Sequence, residues 1–415
     1  STDVSEVRML ISALVPKVAT SPEILDAQAI GNSFYGLQNM RSDNPEVLSL
    51  LAVMADKVMM SCPELDGQAM GNSLYGLQGM SSDHPEVRAV VNALTTKIQS
   101  SCLDMNAQEM GNALFGLQNM TSEHADVRRL LTSLTHKVNS SKHDLASQEI
   151  GNAMFGLQGM SSSVWETRML IRQIAMKIQQ SHCLIDPLGI ANSLFGLQRM
   201  SSESEDVRLL VQALAIKIEQ SWKQLSAQHI SNSLFGLQNL SSAESEVRYL
   251  LKTILPKITT CRDELTAKQL SQALFGMRSF SSEHVEVLAL AAALAEKVSF
   301  SSESWTLSHL AMVMFGLQGL SSSKEEVATL LNAVANKATS LLTEKYVDAT
   351  AVANCLFGFQ RMNSNNADVC RILSAVLVKM THISPSATVS AKMCSSMIFG
   401  VQGLSCTNET AKTVL

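Results

Sequence analysis

Apolar residues fall at Val7, Ile11, Leu14 and Val18, the spacing of one face of a helix. After a polar stretch a second apolar set follows at Ile30, Phe34 and Leu37. Equivalents of both sets return about every 40 residues along the chain. Each period predicts two helices: helix A near 26–40, helix B near 43–59, and their equivalents one period on. The polar positions mark the ends. Asp26, Asp66, Asn106, Asp186, Ser226, Thr266, Thr306, Asp348 and Ser390 stand where a side chain accepts the free N–H groups of a first turn. Ala146 breaks that series, and Ser147 shifts the expected start by one. A large apolar residue precedes each cap, from Leu25 and Leu65 to Trp305, Val347 and Val389, as in a hydrophobic staple.

Helix B carries an acid in its first turn (Glu6, Glu46, Glu86) and a lysine in its last (Lys17, Lys57, Lys97), which complements the helix dipole. Asp43–Glu46 and Asp83–Glu86 have the spacing of a capping box. The residue patterns repeat as text too. GNSFYGLQNM at 31–40 returns as GNSLYGLQGM from Gly71, GNALFGLQNM from Gly111, GNAMFGLQGM from Gly151 and ANSLFGLQRM from Ala191. Five further copies start at Ser231, Ser271, Ala311, Ala353 and Ser395. Such a period means one small unit stacked many times. The expected fold is all-α: a right-handed α-solenoid of about ten 40-residue helix hairpins. It is read as a single array over 1–415, with a half repeat at 1–19 and repeats of about 40–42 residues from 20 to 415. The chain opens inside a helix B (Thr2 to Val18) and closes in one cut short at Leu415, so an excerpt of a longer array is expected. No presequence is visible at Ser1.

Composition narrows the function. Of 415 residues 46% are hydrophobic and 17% charged, enough for a continuous core, and the net charge of −5 does not announce a nucleic-acid binder. The eight cysteines form no CxxC pair and no zinc-spaced cluster. Cys62 and Cys102 alone share a repeat position, too far apart for a disulfide's reach of about 7 Å between Cα atoms. All eight read as thiols of an intracellular protein. The longest apolar stretch, Leu288 to Ala295, is too short to span a bilayer. There is no Gly-rich phosphate loop, no GxSxG and no HExxH; no catalytic residue, cofactor or metal is expected.

What remains is a set of ladders, each open to two readings. The glycine at 36, 76, 116, 156, 196, 236, 276, 316, 358 and 400 falls mid-helix in the predicted helix A, where glycine is unfavourable by about 1 kcal/mol. It implies close approach of a neighbouring helix or a bare backbone floor for a ligand. The aromatic at 35, 75, 115 and onward is either stacked core or a platform for bases. Asn32, Asn72, Asn112, Asn152, Asn192, Asn232 and Asn354 share one position, and Gln38, Gln78 and their equivalents another. These amides can bridge repeats or read a base edge or a peptide backbone. Two polar positions vary like a reading code: Asn39, Asn119, Arg199, Asn239 and Arg361 among glycines and a serine, and Ala29, Ala69, Glu109, Glu149, Gly189, His229, Gln269 and His309. The recurring Arg88 and Lys97 of helix B lie on opposite sides, as solvated or inter-repeat ion pairs rather than a phosphate track.

The ten-residue phrase, of pattern [AGS]-N-[ST]-[LF]-aromatic-[AG]-L-x-x-[ML], resembles the first-helix signature of octotricopeptide-repeat and related RAP-type organellar proteins. That resemblance spans all ten units. It implies an α-solenoid that binds organellar RNA, in chloroplast or mitochondrion, for RNA stability, processing or translation. The chain lacks the family's usual second-helix motif and a recognisable RAP domain. The expected partner is single-stranded RNA, held by Asn32, Asn39, Asn72, Asn112, Asn119, Asn152, Asn192, Arg199, Asn232, Asn239, Asn354 and Arg361. The alternative is an extended protein segment or complex subunit held by the same amides of a scaffold.

Overall fold

The computed structural model describes residues 4–61, 64–339, 347–380 and 389–404. Among them are twenty α-helices and no strand. The chain divides into two compact units, Ser1–Ser221 and Trp222–Leu415. Each is an α-solenoid of helix hairpins, built from one layer of short helices and one of longer ones.

In the first unit the short A helices are α2 (Ala27–Tyr35), α4 (Gly67–Tyr75), α6 (Ala107–Phe115), α8 (Ser147–Gly156) and α10 (Pro187–Phe195). The longer B helices are α1 (Ser5–Thr20), α3 (Pro45–Met60), α5 (Pro85–Ser100), α7 (Ala125–Ser140), α9 (Trp165–Gln180) and α11 (Glu205–Gln220). Each A helix packs on the next A helix and each B helix on the next B helix. The second unit repeats this with A helices α12 (Ala227–Phe235), α14 (Ala267–Phe275), α16 (Leu307–Gly316), α18 (Ala349–Phe357) and α20 (Ala391–Gly400). Its B helices are α13 (Ser245–Thr260), α15 (Val285–Phe300), α17 (Glu325–Ala338) and α19 (Ala367–Met380). The core lies between the layers: Met70, Leu74, Leu77 and Met80 of one hairpin are buried, as are Val87, Val90, Leu94 and Ile98.

The ends follow the expected chemistry with four corrections. All nine predicted capping side chains accept an N–H of the first turn, as Asp26 does from Ala29 and Ser390 from Met393. At the exception, α8 starts at Ser147 with Ala146 as its uncapped N-cap; the Ser147 hydroxyl instead accepts the Asp186 N–H and donates to the Asp186 carboxylate of the next repeat. The staple residues Leu65 to Trp305 are buried, but Leu25 and Val347 are only half-buried and Val389 is exposed. No capping box forms at Asp43–Glu46 or Asp83–Glu86, because the N-caps are Asn44 and His84, without a side-chain cap bond. Position 83 instead closes a serine turn, its N–H donating to Ser81 Oγ at 3.2 Å.

Helix A is also shorter than 26–40. In the second repeat it ends at Tyr75, and Gly76 is its C-cap at φ −61°, ψ −19°. The chain then tightens: Leu77 N–H reaches Leu74 O at 2.9 Å and Met80 N–H reaches Leu77 O at 2.8 Å. These i→i+3 bonds are 3₁₀ in type, and residues three apart then point the same way. Leu77 and Met80 can therefore both enter the core.

Candidate nucleic-acid interface

Most of the repeated polar residues tie one repeat to the next. The buried serine after each phrase is one tie: Ser42 Oγ accepts the Ser81 N–H at 2.8 Å, Ser82 that of Thr121 at 3.0 Å, and Ser122 that of Ser161 at 2.9 Å. A second serine, after helix B, donates backward: Ser101 to Leu65 O, Ser141 to Met105 O and Ser181 to Leu145 O, at 2.7–2.9 Å.

The lysines are not the ion pairs expected. Lys137 Nζ donates to Ser101 O and Leu103 O, both at 2.8 Å, and Lys97 to Ser61 O at 3.0 Å. Each lysine thus satisfies carbonyls at the open end of the preceding B helix, where no N–H follows. Burial pushes the Lys137 and Lys257 ammonium groups below the usual lysine range. The arginines bind their own turns: Arg88 donates to Ser82 O at 2.7 Å and Asp83 O at 2.9 Å, and Arg128, Arg168, Arg208 and Arg248 repeat the contact. Arg128 and Arg168 also come within 3.9 Å of Glu166 and Asp206 of the next repeat. These helix B cations are spent inside the array.

The glycine ladder answers to close approach. A Cβ at Gly76, Gly116 or Gly156 would lie 1.9 Å from the carbonyl oxygen of Phe34, Leu74 or Leu114, two residues before the equivalent glycine of the preceding repeat. Gly196, Gly276, Gly316, Gly358 and Gly400 meet the same obstacle at 1.9–2.1 Å. The aromatic ladder is a stack whose members cover one another. Tyr35, Tyr75, Phe115, Phe155 and Phe195 follow at centroid distances of 5.5–5.8 Å, and Phe235, Phe275, Phe315, Phe357 and Phe399 at 5.3–6.0 Å. A ring inside either stack has a neighbour on both faces, which leaves its edge, not its face, to solvent.

The glutamines also bridge: Gln118 Nε2 donates to Gln78 Oε1 at 3.2 Å, Gln198 to Gln158 at 3.1 Å and Gln360 to Gln318 at 3.2 Å. One of the two variable positions proves to be structural. Glu109 accepts the N–H of Asn106 at 2.8 Å, Gln269 that of Thr266 at 3.0 Å, and the His229 and His309 rings face Ser226 and Thr306 in the same way. Residues 109, 229, 269 and 309 therefore complete capping boxes of their own helices.

The candidate residues separate accordingly. Asn119 Nδ2 donates to Gln78 O at 2.6 Å, Asn239 accepts from Arg278, and Arg199 lies 4.0 Å from Glu123 and 3.5 Å from Gly159 O. Where that position is glycine, as at Gly79 and Gly159, a Cβ would lie 2.1–2.2 Å from the carbonyl of Met40 or Met120. Asn39 and Arg361 are exposed. Asn232 Oδ1 accepts from Gln228 at 2.7 Å. Asn32 is exposed, and Asn72, Asn112, Asn152, Asn192 and Asn354 are half-buried. Among the described residues no protein group bonds the side-chain amides of Asn32, Asn72, Asn112, Asn152 and Asn192. One turn earlier stand the exposed Gln28, Gln68, Gln108 and Gln148. Gln28, Asn32, Asp66, Gln68 and Asn72 line one shallow polar groove between α2 and α4. The structure thus brings five predicted amides of the first unit onto one face and leaves them open.

Among the described residues no group of His, Cys, Asp or Glu could hold a metal, and no helix is long and apolar enough to cross a membrane. No protein-family model matches this chain, and neither does any curated protein.

Proposed function

We propose that the array is a non-enzymatic binder of single-stranded RNA, and that the open amides of its A helices read base edges. One observation carries the reading: in a structure where serine, lysine, arginine and glutamine ladders are consumed by inter-repeat or local bonds, Asn32, Asn72, Asn112, Asn152 and Asn192 are not. An amide can donate and accept at once, which suits the mixed donor and acceptor edge of an unpaired base. An organellar role in RNA stability, processing or translation rests on the resemblance of the repeated phrase. A protein-binding scaffold is the second reading, favoured by the covered ring faces and by the internal use of helix B cations.

The test replaces Asn72, Asn112, Asn152 and Asn192 by alanine together and measures single-stranded RNA binding by fluorescence anisotropy at low salt. The variant is expected to keep its helical content and melting curve and to lose roughly tenfold or more in affinity. A folded variant with parental affinity removes the amides from the site. A parent that ignores RNA at low salt moves the assignment to the scaffold.

A further inference from the structure

The two units carry different charge on the same face. Across the five A helices of the first unit and the turns that follow them, the charged residues are Glu109, Glu149 and Arg199, and three of the caps are the carboxylates Asp26, Asp66 and Asp186. The same segments of the second unit, 227–240, 267–280, 307–320, 349–362 and 391–404, contain no Asp or Glu at all. They contain Lys268, Arg278, Arg361 and Lys392, with Asp348 as the sole acidic cap. Lys268, Arg361 and Lys392 are exposed, and among the described residues none has an ion-pair partner. Arg278 replaces the bridging glutamine of its repeat. Its guanidinium is held by Gln238 O at 3.0 Å and by Asn239 Oδ1, and it lies 5.0 Å over the Phe275 ring. Burial, with no carboxylate to offset it, pushes this arginine below its usual range.

Three carboxylates beside these segments already have partners. Asp263 accepts the Ala227 N–H at 3.1 Å, Glu303 that of Ala267 at 2.6 Å, and Glu283 pairs with Lys324 at 3.9 Å. A fixed, half-buried arginine with N–H groups left over and three exposed cations without ion-pair partners, on segments that contain no Asp or Glu, suit a polyanion.

We propose that the A-helix face of the second unit holds the phosphate backbone of the RNA strand, with Lys268, Arg361 and Lys392 as its mobile phosphate contacts and Arg278 as a fixed one. This rests on the RNA reading above. It adds backbone holding by cations of the second unit to the base reading proposed for the amides.

The test uses the whole chain, an oligouridylate probe and a salt series, with Lys268→Gln, Arg361→Gln and Lys392→Gln combined. All three side chains are exposed, so the melting curve is expected to stay with the parent. The slope of log affinity against log salt is expected to become shallower by about 2, since each phosphate contact on a single strand contributes about 0.7. Affinity at low salt falls more than roughly tenfold. An unchanged slope in a folded variant that still binds overturns the phosphate track while the RNA reading stands. A parent without RNA affinity overturns both; if it then binds a polyglutamate peptide through the same three residues, the face belongs to an acidic protein segment.

Discussion

Replacing Gly116 by alanine tests the stacking directly. On local grounds alanine should help: the residue sits at φ −58°, ψ −17°, and alanine is better than glycine there by up to about 1 kcal/mol. The neighbouring repeat says otherwise. The new methyl would stand 1.9 Å from Leu74 O, 2.4 Å from its carbonyl carbon and 2.9 Å from Tyr75 N. Since all these atoms are backbone, no side chain can swing away, and the two hairpins must part by about 1 Å or more. Parting loosens the Tyr75–Phe115 stack and the Gln78–Gln118 bond together. Overpacking of this kind costs about 1–3 kcal/mol, which exceeds the gain in helix propensity. Gly36 is the internal control. It occupies the same position in the first repeat, but a Cβ there meets only its own turn, Ser33 O at 3.4 Å and Asn32 O at 3.5 Å. Gly36→Ala should therefore be neutral or gain about 0.4–1 kcal/mol through the unfolded chain. Urea melts followed by circular dichroism would measure both, with hydrogen exchange to locate the loosened hairpins. If Gly116→Ala melts with or above Gly36→Ala, close approach is not why this glycine recurs.

Two further outcomes follow from the ties between repeats. Ser122→Ala leaves the Ser161 N–H without its buried acceptor and should lower stability by about 1–3 kcal/mol; a shift under a few tenths would mean water replaces the hydroxyl. For Lys137, burial lowers the folded pKa below the ordinary lysine value, so the unfolded chain binds more protons between the two values and stability rises with pH through that window. The parent should accordingly gain on Lys137→Met in urea melts as pH climbs toward the ordinary lysine pKa, and a pH-independent difference would contradict the burial.

The sequence made the period, the nine side-chain caps and the two-layer core legible, because each rests on local chemistry repeated in every copy. Three things were hidden. The end of helix A was masked by Leu77 and Met80, whose three-residue spacing fits α and 3₁₀ turns alike. The capping boxes looked like a variable code because Glu109, Gln269 and His229 are chemically different residues doing one job. The lysines looked solvated because a long stem can bury while its ammonium finds backbone oxygen, and no residue type marks a carbonyl in a sequence. Of the candidate site, the asparagine position was legible but its freedom from partners was not. The charge difference between the A faces was present in the letters and could have been found by counting helix A alone.

The serine, lysine and glycine contacts share a property with evolutionary weight. Ser82 receives a backbone N–H, Lys137 and Ser141 reach backbone carbonyls, and Gly116 yields to one. On the receiving side none of these links depends on which side chain the neighbour carries. These links therefore ask for no matched change in the neighbouring copy, much as bricks of one bond pattern fit in any order. A gene encoding such units can lengthen, shorten or shuffle by recombination between copies and still specify a foldable chain. Exposed residues outside the links, such as Lys268, are not held by the stacking and can diverge from copy to copy.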